Sequence, residues 1–191
     1  MVVRKVPTLQ DAPDDALFAA LARGDLSALG ALFDRYHGAV RSVVLHAGVR
    51  RADADDAVQD TFLRLVATAS RYDGRGSAKP WVLATAWRVA SERRRSLMRW
   101  LRAVTRFAEQ APTEHALTPE DAREGAERWA AFIARVAALP EKMRAAYVLV
   151  EVHALPCEEA ARALGIPVAT VWTRLHHARK RMLEQPGGGD P

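Results

Sequence analysis

Apolar residues recur along nearly the whole chain at steps of three and four, and the alternating runs that mark half-buried strands are missing. This pattern suits helices packed on helices, so the expected fold is all-α. Leu26, Leu29, Phe33, Tyr36, Val40, Val43 and Ala47 read as one stripe of a long helix, with Asp25 placed to cap it. Before it, Asp14 or Asp15 starts a short helix through Leu17, Phe18 and Leu21 that Gly24 ends, so the two make a hairpin. A third helix is expected from about Asp53 to Ser70, with Val58, Phe62, Leu65, Val66 and Ala69 turned inward and an acidic opposite face.

The segment RYDGRGSAKP carries two glycines and a proline and reads as a loop, with Pro80 in the first turn of a fourth helix. There Leu83, Ala86, Trp87 and Ala90 face the bundle, while Trp81, Thr85, Arg88 and Arg95 fall near another face. From Arg99 to about Leu117 the periodicity weakens, which reads as a linker. Thr118-Pro119-Glu120-Asp121 then has the chemistry of a helix start: a capping hydroxyl, proline at the first position and carboxylates against the dipole. A second domain begins there. It holds one helix through Trp129, Phe132, Ile133 and Val136 and another, after Pro140, through Met143, Tyr147 and Val150.

The most specific local signal is LPCEEAARALGIPVATVWTRLHHARKRMLE, where a short helix meets a long one across Leu164-Gly165-Ile166-Pro167. Gly165 can adopt the left-handed conformation that ends the first helix, and Pro167 fixes entry into the second. Ala160, Ala161 and Leu164 let the helices cross closely, and Val168, Val171, Leu175, Ala178 and Met182 form the buried stripe of the second. Ala169, Trp172, Thr173, His176, His177 and Lys180 then face solvent, flanked by Arg174, Arg179 and Arg181. Such a surface suits a DNA major groove, the plainer alternative being a helical hairpin with a solvated basic face.

Charge agrees with a polyanionic partner without requiring one: 28 Lys and Arg stand against 23 Asp and Glu, a net charge of +5. Cys157 is the single cysteine, so an internal disulfide is excluded and a cysteine-based zinc site lacks ligands. No stretch has the length of a signal peptide core or a membrane span, so the expectation is a cytoplasmic protein without membrane insertion.

Two separated motifs carry a family resemblance. One is Asp53-Ala-Asp-Asp-Ala-Val-Gln-Asp-Thr-Phe-Leu-Arg-Leu-Val; the other joins Leu139-Pro-Glu-Lys to Ile166-Pro-Val-Ala-Thr-Val-Trp-Thr-Arg-Leu-His-His-Ala-Arg. In order and separation they resemble the extracytoplasmic-function group of bacterial sigma factors, from about Ala28 to Glu184. The resemblance implies two small helical domains, at 14–98 and 118–185, joined by a linker at 99–117. It implies docking on core RNA polymerase through Asp56, Gln59, Asp60 and Leu63, an acidic ridge with one apolar residue. It assigns the downstream, minus-ten, promoter element to Arg75, Lys79, Trp81, Arg88, Arg93, Arg94 and Arg95, with basic groups for phosphates. In that assignment Trp81 stacks on an unpaired base; core packing is the competing role for it. The upstream, minus-thirty-five, element falls to Thr170, Trp172, Thr173, Arg174, His176, His177, Arg179 and Lys180. An anti-sigma partner is implied as well. Arg88 departs from the asparagine common in the family, as do Pro156-Cys157 and His176-His177 from the usual residues at their places.

Other readings weigh less. Asp53, Asp55, Asp56 and Asp60 could attract a divalent cation, but they do not share one face and no phosphate-binding glycine loop accompanies them. Adjacent His176 and His177 point apart on a helix, a poor geometry for one metal. The expectation is a protein that is not an enzyme and needs no cofactor. A stand-alone helix-turn-helix regulator is the alternative; it would have no use for an acidic docking ridge or a Trp-rich basic helix.

Overall fold

The computed structural model describes residues 9–74, 77–105 and 124–184. Among them are eight α-helices and no strand: α1 (Asp14–Ala22), α2 (Ser27–His46), α3 (Ala54–Thr68), α4 (Lys79–Thr105), α5 (Glu124–Ala138), α6 (Glu141–Tyr147), α7 (Cys157–Leu164) and α8 (Val168–Glu184). A π turn, Val148–Val152, extends α6, and short 3-10 turns flank α3. The first four helices form one bundle and the last four a second, packed against α2 and α4 of the first.

In the first bundle α2, α3 and α4 pack on one another around Leu32, Val40, Val43, Leu65 and Leu83, all fully buried. Each such side chain contributes about 1.5–3 kcal/mol of burial. Gly24, at φ +90°, makes the tight hairpin that returns α1 onto α2. The stripe read from sequence holds from Tyr36 onward but not at its start: Leu26 is 62% and Phe33 40% exposed. Ala28, Ala31 and Leu32 are buried in their stead, because α1 approaches across the small alanines and turns that end of α2. Phe33 instead stacks on Phe62 of α3, with ring centroids 4.8 Å apart.

Two further differences have physical causes. The helix expected to fade at Arg99 runs on to Thr105, with Met98, Arg99 and Trp100 exposed. Periodicity weakens there because the helix leaves the core while keeping its backbone bonds. The remainder of the expected linker and the Thr118-Pro119-Glu120-Asp121 start lie outside the described residues. On α6 and its π turn the buried side chains are Arg144, Ala145, Ala146, Val148 and Leu149, one step from the expected Met143, Tyr147 and Val150. Arg144 turns inward because its guanidinium reaches the Ala137 carbonyl and the Trp87 ring, and the small Ala145 and Ala146 are buried with it.

Asp14 fastens the start of α4. Its carboxylate accepts hydrogen bonds from Arg35 and the Tyr36 hydroxyl of α2, and from the Ala78 backbone N–H at 3.3 Å, just ahead of α4. Burial and the Asp14 hydrogen bond push the Tyr36 phenol above its ordinary value, so it stays a donor. Asp14→Ala is expected to cost about 3 kcal/mol in urea unfolding, since it leaves the half-buried phenol and an N–H without their acceptor. Asp14→Asn should retain part of that.

Candidate nucleic-acid interface

The turn between α7 and α8 forms as its residues dictate. Gly165 takes φ +68°, its N–H bonds the Arg162 carbonyl at 3.2 Å, and the Ile166 N–H reaches back to Ala161 at 3.0 Å. Pro167 supplies the carbonyl that receives the Thr170 and Val171 N–H groups at 2.9 and 3.3 Å, opening α8. Val171, Leu175 and Ala178 are fully buried, and Ala160 and Ala161 let α7 lie close.

The opposite face of α8 is exposed. Trp172 is 53% exposed, a large apolar area with no core role, and Thr173, His176, His177, Arg179 and Lys180 are exposed around it. Thr170 and Arg174 are half-buried at the edge. The Thr173 hydroxyl donates to the Ala169 carbonyl at 3.0 Å, and the His176 and His177 rings meet edge to face at 5.4 Å. Arg179 is tied to Glu151 at 2.6 Å and Lys180 to Glu184 at 3.7 Å. Both pairs are exposed, so phosphate can displace them at a cost of about 1 kcal/mol or less each.

On α3, Asp56, Gln59 and Leu63 are exposed and Asp60 is half-exposed on one ridge. Leu63 borders a shallow groove of about 350 Å³ that Asp60, Arg64, Ala67, Val89, Glu92 and Arg93 complete. Arg93 of α4 leans onto that ridge, 2.6 Å from Asp60 and 4.0 Å from Asp56.

The residues expected at the downstream element separate into groups. Arg75 lies outside the described residues. Lys79 donates to the His153 carbonyl at 2.7 Å and Arg88 to the Ala163 carbonyl at 2.8 Å, so both are held by the second bundle. Thr85, expected on an open face, is buried; it shares the face of Arg88, which lies against α7, and its hydroxyl bonds Trp81 O at 2.9 Å. Trp81 is half-buried, edge-on to Phe18 at 5.0 Å and near Tyr72 at 5.6 Å. Arg94 reaches the end of α2 at Ala47 O, 3.4 Å, and Arg95 faces Glu141 at 3.6 Å.

Two residues that the sequence pattern does not single out, Arg144 and His46, hold the two bundles together, and a third, Ala154, has an unusual backbone. Arg144, 1% exposed, donates to the Ala137 carbonyl at 2.6 Å and places its guanidinium 5.9 Å from the Trp87 ring centroid. His46 lies edge-on to Trp129 at 5.5 Å and to Phe132 at 5.8 Å. Ala154, beside His153, takes φ +54°, a conformation costly for a residue with a Cβ. Cys157 is buried, and burial, with Glu158 nearby, raises its thiol above the ordinary value, so it is a poor nucleophile.

Residues 32–100 match the family model for sigma-70 region 2, and residues 129–182 that for sigma-70 region 4. The ECF RNA polymerase sigma factor SigM of Mycobacterium tuberculosis is 30% identical over 174 residues, covering 91% of this chain and 85% of the relative. This chain belongs to the ECF group of RNA polymerase sigma factors. A second Mycobacterium tuberculosis relative, the ECF sigma factor SigC, is 29% identical over 175 residues, covering 90% of this chain and 92% of its own. In fold this sigma factor is similar to CnrH, solved with the cytosolic domain of CnrY, at TM-score 0.65 and 24% identity over 89% of this chain and 94% of that one. It is also similar to the Bartonella quintana sigma factor RpoE, solved with the anti-sigma factor NepR, at TM-score 0.63 and 21% identity over 80% and 92% of the two chains.

Gly165→Ala tests the turn of this sigma factor. A Cβ there meets nothing within 4 Å, so the cost is conformational alone. Thermal unfolding should register a loss of about 1–2 kcal/mol, and Gly165→Asn a smaller one.

Proposed function

We propose that this alternative sigma factor docks on core RNA polymerase through Asp56, Gln59, Asp60 and Leu63. In this reading α8 enters the major groove of the minus-thirty-five element, and α4 with the loop before it holds the minus-ten element. The observation that carries the reading is the pairing, on one chain, of an exposed aromatic and basic α8 face with an acidic ridge around an exposed Leu63. Within α8, Trp172, Thr173 and His176 are placed for base edges, and Thr170, Arg174, His177, Arg179 and Lys180 for the groove walls and phosphates. Trp81 and the basic groups Arg75, Lys79, Arg88, Arg94 and Arg95 serve the opened strand; its melting draws on binding energy, with no nucleotide hydrolysis. Neither metal nor cofactor is required. The units at 14–98 and 118–185 act as the two promoter-reading bodies, in the cytoplasm where polymerase and promoter are.

Two elements centred about 25 base pairs apart lie roughly 80 Å from one another at about 3.4 Å per base pair. Arg88 and Lys79 cannot stay bonded to the second bundle and also serve the distal element, so the bundles separate on the promoter. An anti-sigma protein that holds the two together belongs to the same reading; the RpoE neighbour was solved with an anti-sigma factor, NepR.

Asp60→Arg and Leu63→Asp should each lower affinity for core polymerase at least tenfold while leaving α8 intact. Trp172→Ala with Arg174→Ala should instead abolish the upstream footprint of the holoenzyme with core affinity unchanged. Tight protection of a palindromic site by the chain alone would replace this reading with that of a stand-alone regulator.

A further inference from the structure

The seam between the two bundles contains two histidines whose Nε2 atoms are buried without a hydrogen-bond partner, His46 and His153. His46, fully buried in the last turn of α2, uses Nδ1 toward the Ser42 carbonyl at 2.7 Å, so its proton sits there and Nε2 is a bare acceptor. Trp129 and Phe132 of α5 meet its ring. His153 follows the π turn, and its carbonyl receives the Lys79 ammonium. We infer that His46 and His153 form a proton-sensitive latch that keeps Lys79 and Arg88 of α4 bonded to the second bundle at neutral pH and frees them on acidification.

The surroundings favour neutral rings. For His46 burial alone lowers the affinity for a proton, with the Ser42 hydrogen bond opposing in part. For His153 burial comes first, then the charges of His46 and of Lys79, and together they bring it from 6.5 to about 4. The side chains that face the seam come from both bundles. Lys79 of α4 is cationic, α5 contributes the uncharged Trp129 and Phe132, and Arg94 and Arg144 flank Gly48 just beyond the end of α2. A proton on either ring would bury a charge with no acceptor. On His153 it would also stand against Lys79, whose bond helps cover α4.

When the bundles part, both rings reach water and regain ordinary proton affinity, so the open form binds more protons than the closed one. The latch therefore contributes fully above about pH 6.5 and is lost as the pH falls toward about 4. The open-to-closed ratio should rise about tenfold between pH 7.5 and 5.5 through His153, and His46 adds in the same direction.

The latch is a property of the free chain; that it governs DNA access rests on the functional reading above. The test is intramolecular energy transfer in the full chain, with dyes at Leu26→Cys and Leu183→Cys in a Cys157→Ser background, titrated from pH 7.5 to 5.5. Both labelled positions are well exposed, at 62% and 85%. Transfer should fall on acidification while far-UV circular dichroism stays constant. His153→Gln should remove most of the response, and Arg88→Ala, which leaves both rings intact, should shift opening toward neutral pH. Transfer that is flat across the range, or that falls only with loss of helicity, or a response unchanged in His153→Gln, overturns the latch. Because neither DNA nor polymerase is present, failure of promoter recognition would read out separately.

Discussion

The architecture depends on α4 burying two faces at once. One face, through Leu83, Ala86 and Ala90, completes the first bundle against α2 and α3. Another meets the second bundle, with Trp87 under Arg144 and Arg88 bonded to α7. Without the first packing the helix has no fixed position, since its C-terminal turns are exposed and contribute little. Without the second, the ties left between the bundles are those of α2, with His46 against Trp129 and Phe132. Asp14 sets where α4 begins, so the hydrogen bonds of α1 and α2 decide the register of Lys79, Trp81 and Arg88.

This double burial relates the protein's stability to its activity. The groups that close the seam include those proposed for the minus-ten element, and on that proposal closure and DNA binding compete for the same donors. The bonds are of a kind that can be exchanged. Lys79 and Arg88 donate to backbone carbonyls, and a phosphate oxygen is a stronger acceptor for either cation. Arg144 is different: buried, and without a carboxylate among the bonds it makes, it holds α6 to Trp87 as long as the seam stays dry.

Much of the fold was legible because helical periodicity and turn chemistry are local. Gly24, Gly165 and Pro167 mark turns where the structure has them, and Val171, Leu175, Ala178 and Met182 form the buried stripe of α8. What was not legible depended on neighbours. The first turns of α2 face α1 because Ala28 and Ala31 are small, and α6 presents Arg144 inward because Trp87 and the Ala137 carbonyl receive its guanidinium. The same holds for the site. The exposed face of α8 follows from its own sequence, whereas Arg93 turning to Asp60 and Arg88 turning to Ala163 follow from packing between helices distant in the chain. His46 and His153 carry no sequence signal at all, since only the closed seam makes them neighbours.

Run-off transcription with core RNA polymerase on promoter-rich genomic fragments, with and without the protein, tests the central claim most directly. The account predicts new, discrete start sites that share two upstream elements at a fixed spacing. Unchanged transcription by a preparation that still binds duplex DNA would contradict it.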